Sequence, residues 1–183
     1  MNTLLNFKIS LIAAGLLALS TAQAANMTRD DYSAAKSRIS SQYKSDKSAC
    51  NSLKSNAKDV CVEEAKAKEK VAKAELEFAH SGKPADENKV RVARAEAAYA
   101  VAKEKCDDLA GNAKDVCVKE AKATEKKALS TAKMGKEISN ARSDAKEDAR
   151  EADYKVAIEK CDAMAGDAKA NCIASAKTRF GRS

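Results

Sequence analysis

The six cysteines of this 183-residue chain fall into three units of identical length, and none is left over. The units run Cys50 to Cys61 (CNSLKSNAKDVC), Cys106 to Cys117 (CDDLAGNAKDVC) and Cys161 to Cys172 (CDAMAGDAKANC). At the centre of the second unit stand Gly111 and Asn112. Glycine tolerates the left-handed conformation that ends helices, and asparagine is a strong N-cap. Asp115, three residues after Asn112, has the position of a capping-box partner near the positive end of a helix dipole. Each unit therefore predicts a helix, a two-residue stop and restart, and a second helix, which is an αα-hairpin. Gly166-Asp167 repeats the pattern in the third unit, while the first has Ser55 in place of glycine.

Cys106 lies five residues before Gly111 and Cys117 five after Asn112, so an antiparallel hairpin brings the two within bonding reach. Six cysteines permit 15 pairings. The hairpin geometry selects Cys50–Cys61, Cys106–Cys117 and Cys161–Cys172 as structural disulfides. Each would add about 2–3 kcal/mol by constraining the unfolded chain. Metal thiolates are the competing use of such residues. No Cys-x2-Cys pair is present, and the single histidine, His80, is remote in sequence from every pair.

Residues 1–24 have the form of a secretory signal peptide. Lys8 precedes the apolar run ISLIAAGLLALS, and Ala22-Gln23-Ala24 is an A-x-A cleavage pattern, with cleavage expected after Ala24. The alternative is an uncleaved anchor, for which the run is short. Export and disulfides are mutually consistent, because oxidising compartments preserve them. We expect a periplasmic or secreted mature chain, 25–183, forming one repetitive helical domain without a transmembrane segment.

That mature chain is dominated by Ala, Lys, Glu and Asp, and its only proline is Pro84. Large apolar residues are sparse enough to raise disorder, but the helix-forming composition and the modest net charge, +7 for the full chain, argue for long helices. The internal period supports this. Tyr43, Tyr99 and Tyr154 each stand seven residues before a first cysteine, and the second cysteines are followed by Val62, Val118 and Ile173. A heptad-like stripe of Val92, Ala95, Tyr99, Ala102, Cys106 and Leu109 predicts a coiled-coil-like seam. Val62, Ala65, Ala72, Leu76 and Ala79 form a second stripe, interrupted by Glu69. Val118, Ala121, Ala128 and Ala132 form a third, interrupted by Glu125 at the matching place. Alanine seams bury little area, so the disulfides are expected to act as staples for a thin core.

Ser81-Gly82-Lys83-Pro84 reads as a helix break. A second break at Met134-Gly135 lies near the midpoint of Cys117 to Cys161, although without a proline the helix can continue there. The expected helices are 28–54, 57–80, 85–109, 113–134, 137–164 and 168–178, with the three bridged turns gathered at one end. The fold class is all-α: long antiparallel helices in disulfide-stapled αα-hairpins, closed as an up-down bundle or extended as a hairpin array. The tail from Lys177 to Ser183 is basic and expected to fray. The charge pairs Glu64/Lys68, Glu69/Lys73 and Glu87/Arg91 at i, i+4 describe a solvated face.

No catalytic constellation emerges. His80 reads as a helix C-terminal residue, the carboxylates alternate with lysines, no Gly-rich phosphate loop occurs, and the cysteine spacing is not that of Cys-x-x-Cys redox enzymes. We expect a non-enzyme with no cofactor and no metal. Export makes nucleic acid an unsuitable partner despite the basic balance. An envelope protein, an anionic envelope surface or self-association are the partners that fit.

With the signal peptide, YAVAKEKCDDLAGNAKDVCVKEAK and YKVAIEKCDAMAGDAKANC together, the chain resembles a group of small exported proteobacterial proteins with repeated Tyr…Cys-x10-Cys hairpins. Some of these are labelled TolA-type cell-envelope biogenesis proteins. That similarity rests on Ala/Lys/Glu-rich helix, and we expect neither a retained N-terminal anchor nor a C-terminal globular domain here. The resemblance implies an envelope location and no particular activity. The leading expectation is a structural or interaction role in the envelope; the alternative is a periplasmic stress protein or chaperone.

Overall fold

The computed structural model describes residues 27–182, so the signal-peptide segment 1–24 and Ser183 lie outside the described residues. Among these residues the fold is all-α, with five helices: α1 (Arg29–Ala49), α2 (Ser55–Ser81), α3 (Pro84–Lys105), α4 (Gly111–Asp162) and α5 (Gly166–Phe180). Thr28 starts α1. Its hydroxyl accepts from the Asp31 N–H at 3.1 Å and donates to the Asp31 carboxylate at 2.7 Å, which closes the first turn.

All three expected disulfides are present, with Cα–Cα separations of 5.6, 5.7 and 5.6 Å. The turns that carry them differ from the expected stop and restart. After α1 and α3 the chain tightens into short 3-10 turns, Cys50–Ser52 and Cys106–Asp108. Leu109 and Ala110 are then extended, and Gly111 is left-handed at φ +53° as the first residue of α4. The glycine therefore opens the second helix instead of closing the first. Asn112 and Asp115 make no side-chain cap. Ser55 adopts the same left-handed conformation at φ +50°, and Gly166 at φ +57°. The Ser81-Gly82-Lys83-Pro84 break is as expected. Gly82 is left-handed and donates to the Phe78 carbonyl at 2.8 Å, and Pro84 begins α3.

No break occurs at Met134-Gly135. Helix α4 runs unbroken for 52 residues, which at a rise of 1.5 Å per residue is about 78 Å. The bridged turns consequently do not gather at one end. Cys117 and Cys161 both lie on α4, 44 positions apart and so about 66 Å from each other. Two bridged turns share one end of the molecule and the third sits at the other. With no proline here, nothing in the local sequence stops the helix, and the glycine has a use across the seam. The Arg91 guanidinium of α3 occupies the space that a side chain at 135 would need. Gly135 thus provides room for close approach within a helix, and a mid-helix glycine costs only about 1 kcal/mol relative to alanine.

Each helix packs on its chain neighbours: α1 on α2, α2 on α3, α3 on the first half of α4, and α5 on the second half. Helices not adjacent in the chain make at most marginal contact among the described residues. The architecture is therefore an open array of hairpins, not a closed bundle. Its core is thin, as the alanine stripes imply. Ala65, Leu76, Val90, Ala93, Ala95, Ala97, Ala132 and Ala176 are buried, and the first cysteine of each pair is fully enclosed. Helix α3 has two apolar faces, one toward α2 with Val90, Ala93 and Ala97, and one toward α4 with Ala95, Tyr99 and Ala102. The heptad stripe captured only the second. Its last member, Leu109, is exposed because α3 ends at Lys105; Ala79 and Ala128 are exposed too.

The tail is ordered through Arg182. Gly181 is left-handed, the Arg182 N–H reaches the Lys177 carbonyl at 2.8 Å in a Schellman closure, and the Arg182 guanidinium meets Glu147 at 3.3 Å.

Candidate functional site

The widest interface is the α2–α3 seam, where four ion pairs cross between the helices. Glu64–Lys105 (2.9 Å) and Glu75–Arg94 (2.6 Å) lie on one face, and Lys70–Glu96 (2.5 Å) and Glu77–Lys89 (2.7 Å) on the other. Of the expected i, i+4 pairs, Glu69–Lys73 and Glu87–Arg91 form. Glu64 and Lys68 do not pair with each other: Glu64 reaches α3, and Lys68 reaches Asp46 of α1 at 3.8 Å. Charges read as a solvated face therefore tie helices together, each exposed pair contributing a few tenths of a kcal/mol to about 1 kcal/mol.

Between the struts of the first face is an apolar window of about 610 Å3, lined by Ala67, Val71, Ala97, Ala98 and Val101 and edged by Lys68, Glu75 and Lys105. Its lining is mostly apolar, and no helix of the described chain covers it. Chemically it can accept an apolar side-chain row flanked by charges of both signs.

The repeat also generates a pair of equivalent notches. Ile39, Tyr43, Ala65, Glu69 and Ala72 enclose about 130 Å3 between α1 and α2. Ala95, Tyr99, Ala121, Glu125 and Ala128 enclose about 220 Å3 between α3 and α4, each 56 residues further on. The interrupting glutamates are thus half-buried opposite the repeated tyrosines. Each is met by a lysine of its own helix, Glu69 by Lys73 at 2.7 Å and Glu125 by Lys122 at 3.1 Å. The Lys122 ammonium also lies 4.7 Å from the centre of the Tyr99 ring. Hydrogen bonding to Glu125, ahead of the coulombic attraction, raises the Lys122 pKa above the ordinary lysine value. In the third repeat Phe180 takes the glutamate position and packs edge-on to Tyr154 at 5.9 Å. The tyrosines are seam residues, as expected, and the notches are already filled electrostatically by the chain's own lysines.

The six cysteines are dispersed over the two ends and belong to no common site. His80 sits in the last turn of α2, exposed, with its ring 4.7 Å from that of Tyr32. Among the described residues, no group of three or more His, Cys, Asp or Glu side chains is placed to hold a metal ion, and no helix is long and apolar enough to cross a membrane.

One feature escaped the sequence reading. Leu53, Leu109 and Met164, each three residues after a first cysteine, are exposed at the tips of the bridged turns. Aligning the three cysteine units would have shown the recurring apolar position.

Compared with protein-family models, with curated proteins and with solved structures, the chain has no significant match.

Proposed function

We propose that this protein is a non-enzymatic, exported helical scaffold with a structural or interaction role in the bacterial cell envelope. The observation that carries the proposal is the openness of the array: α2 and α3 pack only on chain neighbours, and the apolar window between them stays uncovered. A helix layer that does not close on itself offers interaction surface on both sides, as repeat arrays do. Three disulfides fit an oxidising compartment. Export through the 1–24 signal peptide, cleavage after Ala24 and a periplasmic location complete the reading, together with the resemblance to exported proteobacterial hairpin proteins.

The test is photocrosslinking in the cell from a probe at Val101, in the window, and from one at Lys160, near the far end of α4. The proposal expects one dominant envelope component captured from Val101 and not from Lys160. Equal, diffuse capture from both positions would oppose it.

The same apolar window favours a second reading, a stress protein or chaperone that shields unfolded exported clients. Here the Val101 probe would capture a broad set of exported proteins. The purified protein would also suppress aggregation of a reduced client at stoichiometric amounts.

A further inference from the structure

At the middle of α4 the chain forms a corner of a different character. The first two turns of α3 (Pro84, Glu87, Asn88, Arg91) meet α4 from Gly135 to Lys146 and leave a half-open cleft of about 470 Å3. Four cations line it: Arg91, Lys136, Arg142 and Lys146. The only carboxylate in its lining is Glu87, which Arg91 engages at 2.5 Å. Lys136, Arg142 and Lys146 make no ion pair among the described residues. The nearby carboxylates of α4 are used or turned away. Glu137 meets Lys133 at 3.9 Å, and Glu147 meets Arg150 at 2.5 Å and Arg182 at 3.3 Å. Asp144 and Asp148 fall on the opposite side of the helix from Arg142 and Lys146, given its repeat of 3.6 residues. Ser139 and Ser143 add hydroxyl donors to the cleft.

What distinguishes this corner is that three unpaired cations line one concavity whose single carboxylate is already engaged. Gly135 strengthens the point. Its missing side chain leaves room for the Arg91 guanidinium between α3 and α4, at one edge of the cleft. Guanidinium groups present donors in a geometry matched to phosphate oxygens, and hydrogen bonds between such charged groups are stronger than neutral ones.

We propose that this corner binds a phosphate-bearing anion, held by Arg91, Arg142 and Lys146 with Ser139 and Ser143 as hydroxyl donors. The volume suits a diphosphate or a phospholipid headgroup better than a single small ion. The inference goes beyond the scaffold reading and does not depend on it.

The test uses the full disulfide-bonded chain and two probes: inorganic pyrophosphate by calorimetry, and sedimentation with vesicles of phosphatidylglycerol in phosphatidylcholine. The R142Q/K146Q variant is compared with K133Q/K160Q, which removes the same charge from α4 outside the corner. Circular dichroism reports whether each variant keeps its helices. The proposal expects at least one probe to bind, roughly tenfold or more weaker to R142Q/K146Q and unchanged to K133Q/K160Q. Pyrophosphate binding without vesicle binding assigns the site to a soluble anion; vesicle binding lost in the same variant assigns it to a headgroup. Gly135→Ala retains every charge but displaces the Arg91 guanidinium, and it should also weaken binding if R142Q/K146Q proves misfolded. Equal weakening by the two charge variants, or no binding of either probe by the unaltered protein, overturns the proposal.

Discussion

The two halves of α4 place the same repeated unit in different surroundings. Up to Gly135 the helix lies against α3, which in turn lies against α2, so its seam is backed by a further helix and by the cross-helix ion pairs of α2 and α3. Past the corner where the start of α3 meets it, its only further helical neighbour is α5, and residues 140–150 are exposed throughout. The local sequence is no less helical there. What changes is the number of neighbours, and with it how strongly one hairpin relies on its disulfide. Arrays of this kind derive stability from each unit and its immediate interfaces, so it should vary along the chain.

Removing the third bridge breaks this comparison most severely. α5 is held by buried Ala176, the Tyr154–Phe180 contact, the Arg182 pairs with Glu147 and Glu151, and one disulfide. Loss of a bridge closing so short a loop is worth about 2–3 kcal/mol. Cys161→Ala/Cys172→Ala should therefore abolish amide-exchange protection over 166–180 while α2 and α3 remain protected. The equivalent Cys50→Ala/Cys61→Ala variant should leave α2 largely protected, because α3 still covers it.

A core truncation has the opposite distribution. Leu76 is the largest aliphatic side chain among the buried residues of α2, and Leu76→Ala should cost about 2–3 kcal/mol. The loss should appear in urea unfolding of the α1–α3 region and leave exchange in α5 unaltered. A uniform loss over the whole chain would mean that the two regions unfold as one unit.

The first two bridged turns sharpen the comparison at smaller scale, since Ser55 and Gly111 share a left-handed backbone. That conformation costs an L-residue roughly 1–2 kcal/mol. Ser55→Gly should raise stability by about 1 kcal/mol and Gly111→Ser should lower it by about the same, read from urea midpoints.

The smallest effect is electrostatic. Asp86 is buried at the start of α3, where it accepts from Lys89 at 2.9 Å and from Ser81 at 2.5 Å. Those hydrogen bonds, Lys89 first, hold its pKa below the ordinary aspartate value. The folded state therefore binds this proton less readily than the unfolded state. The stabilisation is complete above the ordinary carboxylate range and is lost as pH falls through the lowered folded value. Asp86→Asn should be less stable than the parent at neutral pH, and the gap should close under acid, as followed by urea unfolding at a series of pH values.

Much of this was legible because it is local. A Cys-x10-Cys spacing around a turn leaves little choice of partner, and Gly82 with Pro84 encodes its own break. The features that escaped depend on residues distant in sequence. The space beside Gly135 is filled by Arg91, 44 positions earlier on another helix. Glu64 has Lys68 at helical spacing but bonds Lys105, because α3 brings that lysine closer. Leu109 continues an apolar period that the backbone abandons at Lys105, so pattern alone placed it in a seam it does not enter. In α3 alanines fall on both faces, and a single stripe could not show that the helix has two neighbours.

The continuity of α4 is the central claim, since it sends the third bridged turn to the far end and leaves the array open. A distance between spin labels on unnatural residues at 119 and 155, measured by pulsed electron resonance with all disulfides intact, tests it directly. The two sites are 36 residues apart and nearly symmetric about Gly135. An unbroken helix predicts a single narrow distribution near 54 Å, from a rise of about 1.5 Å per residue. A helix that turned back at Gly135 would bring the labels within about 20 Å, little more than two interhelical spacings, and that result would contradict the account.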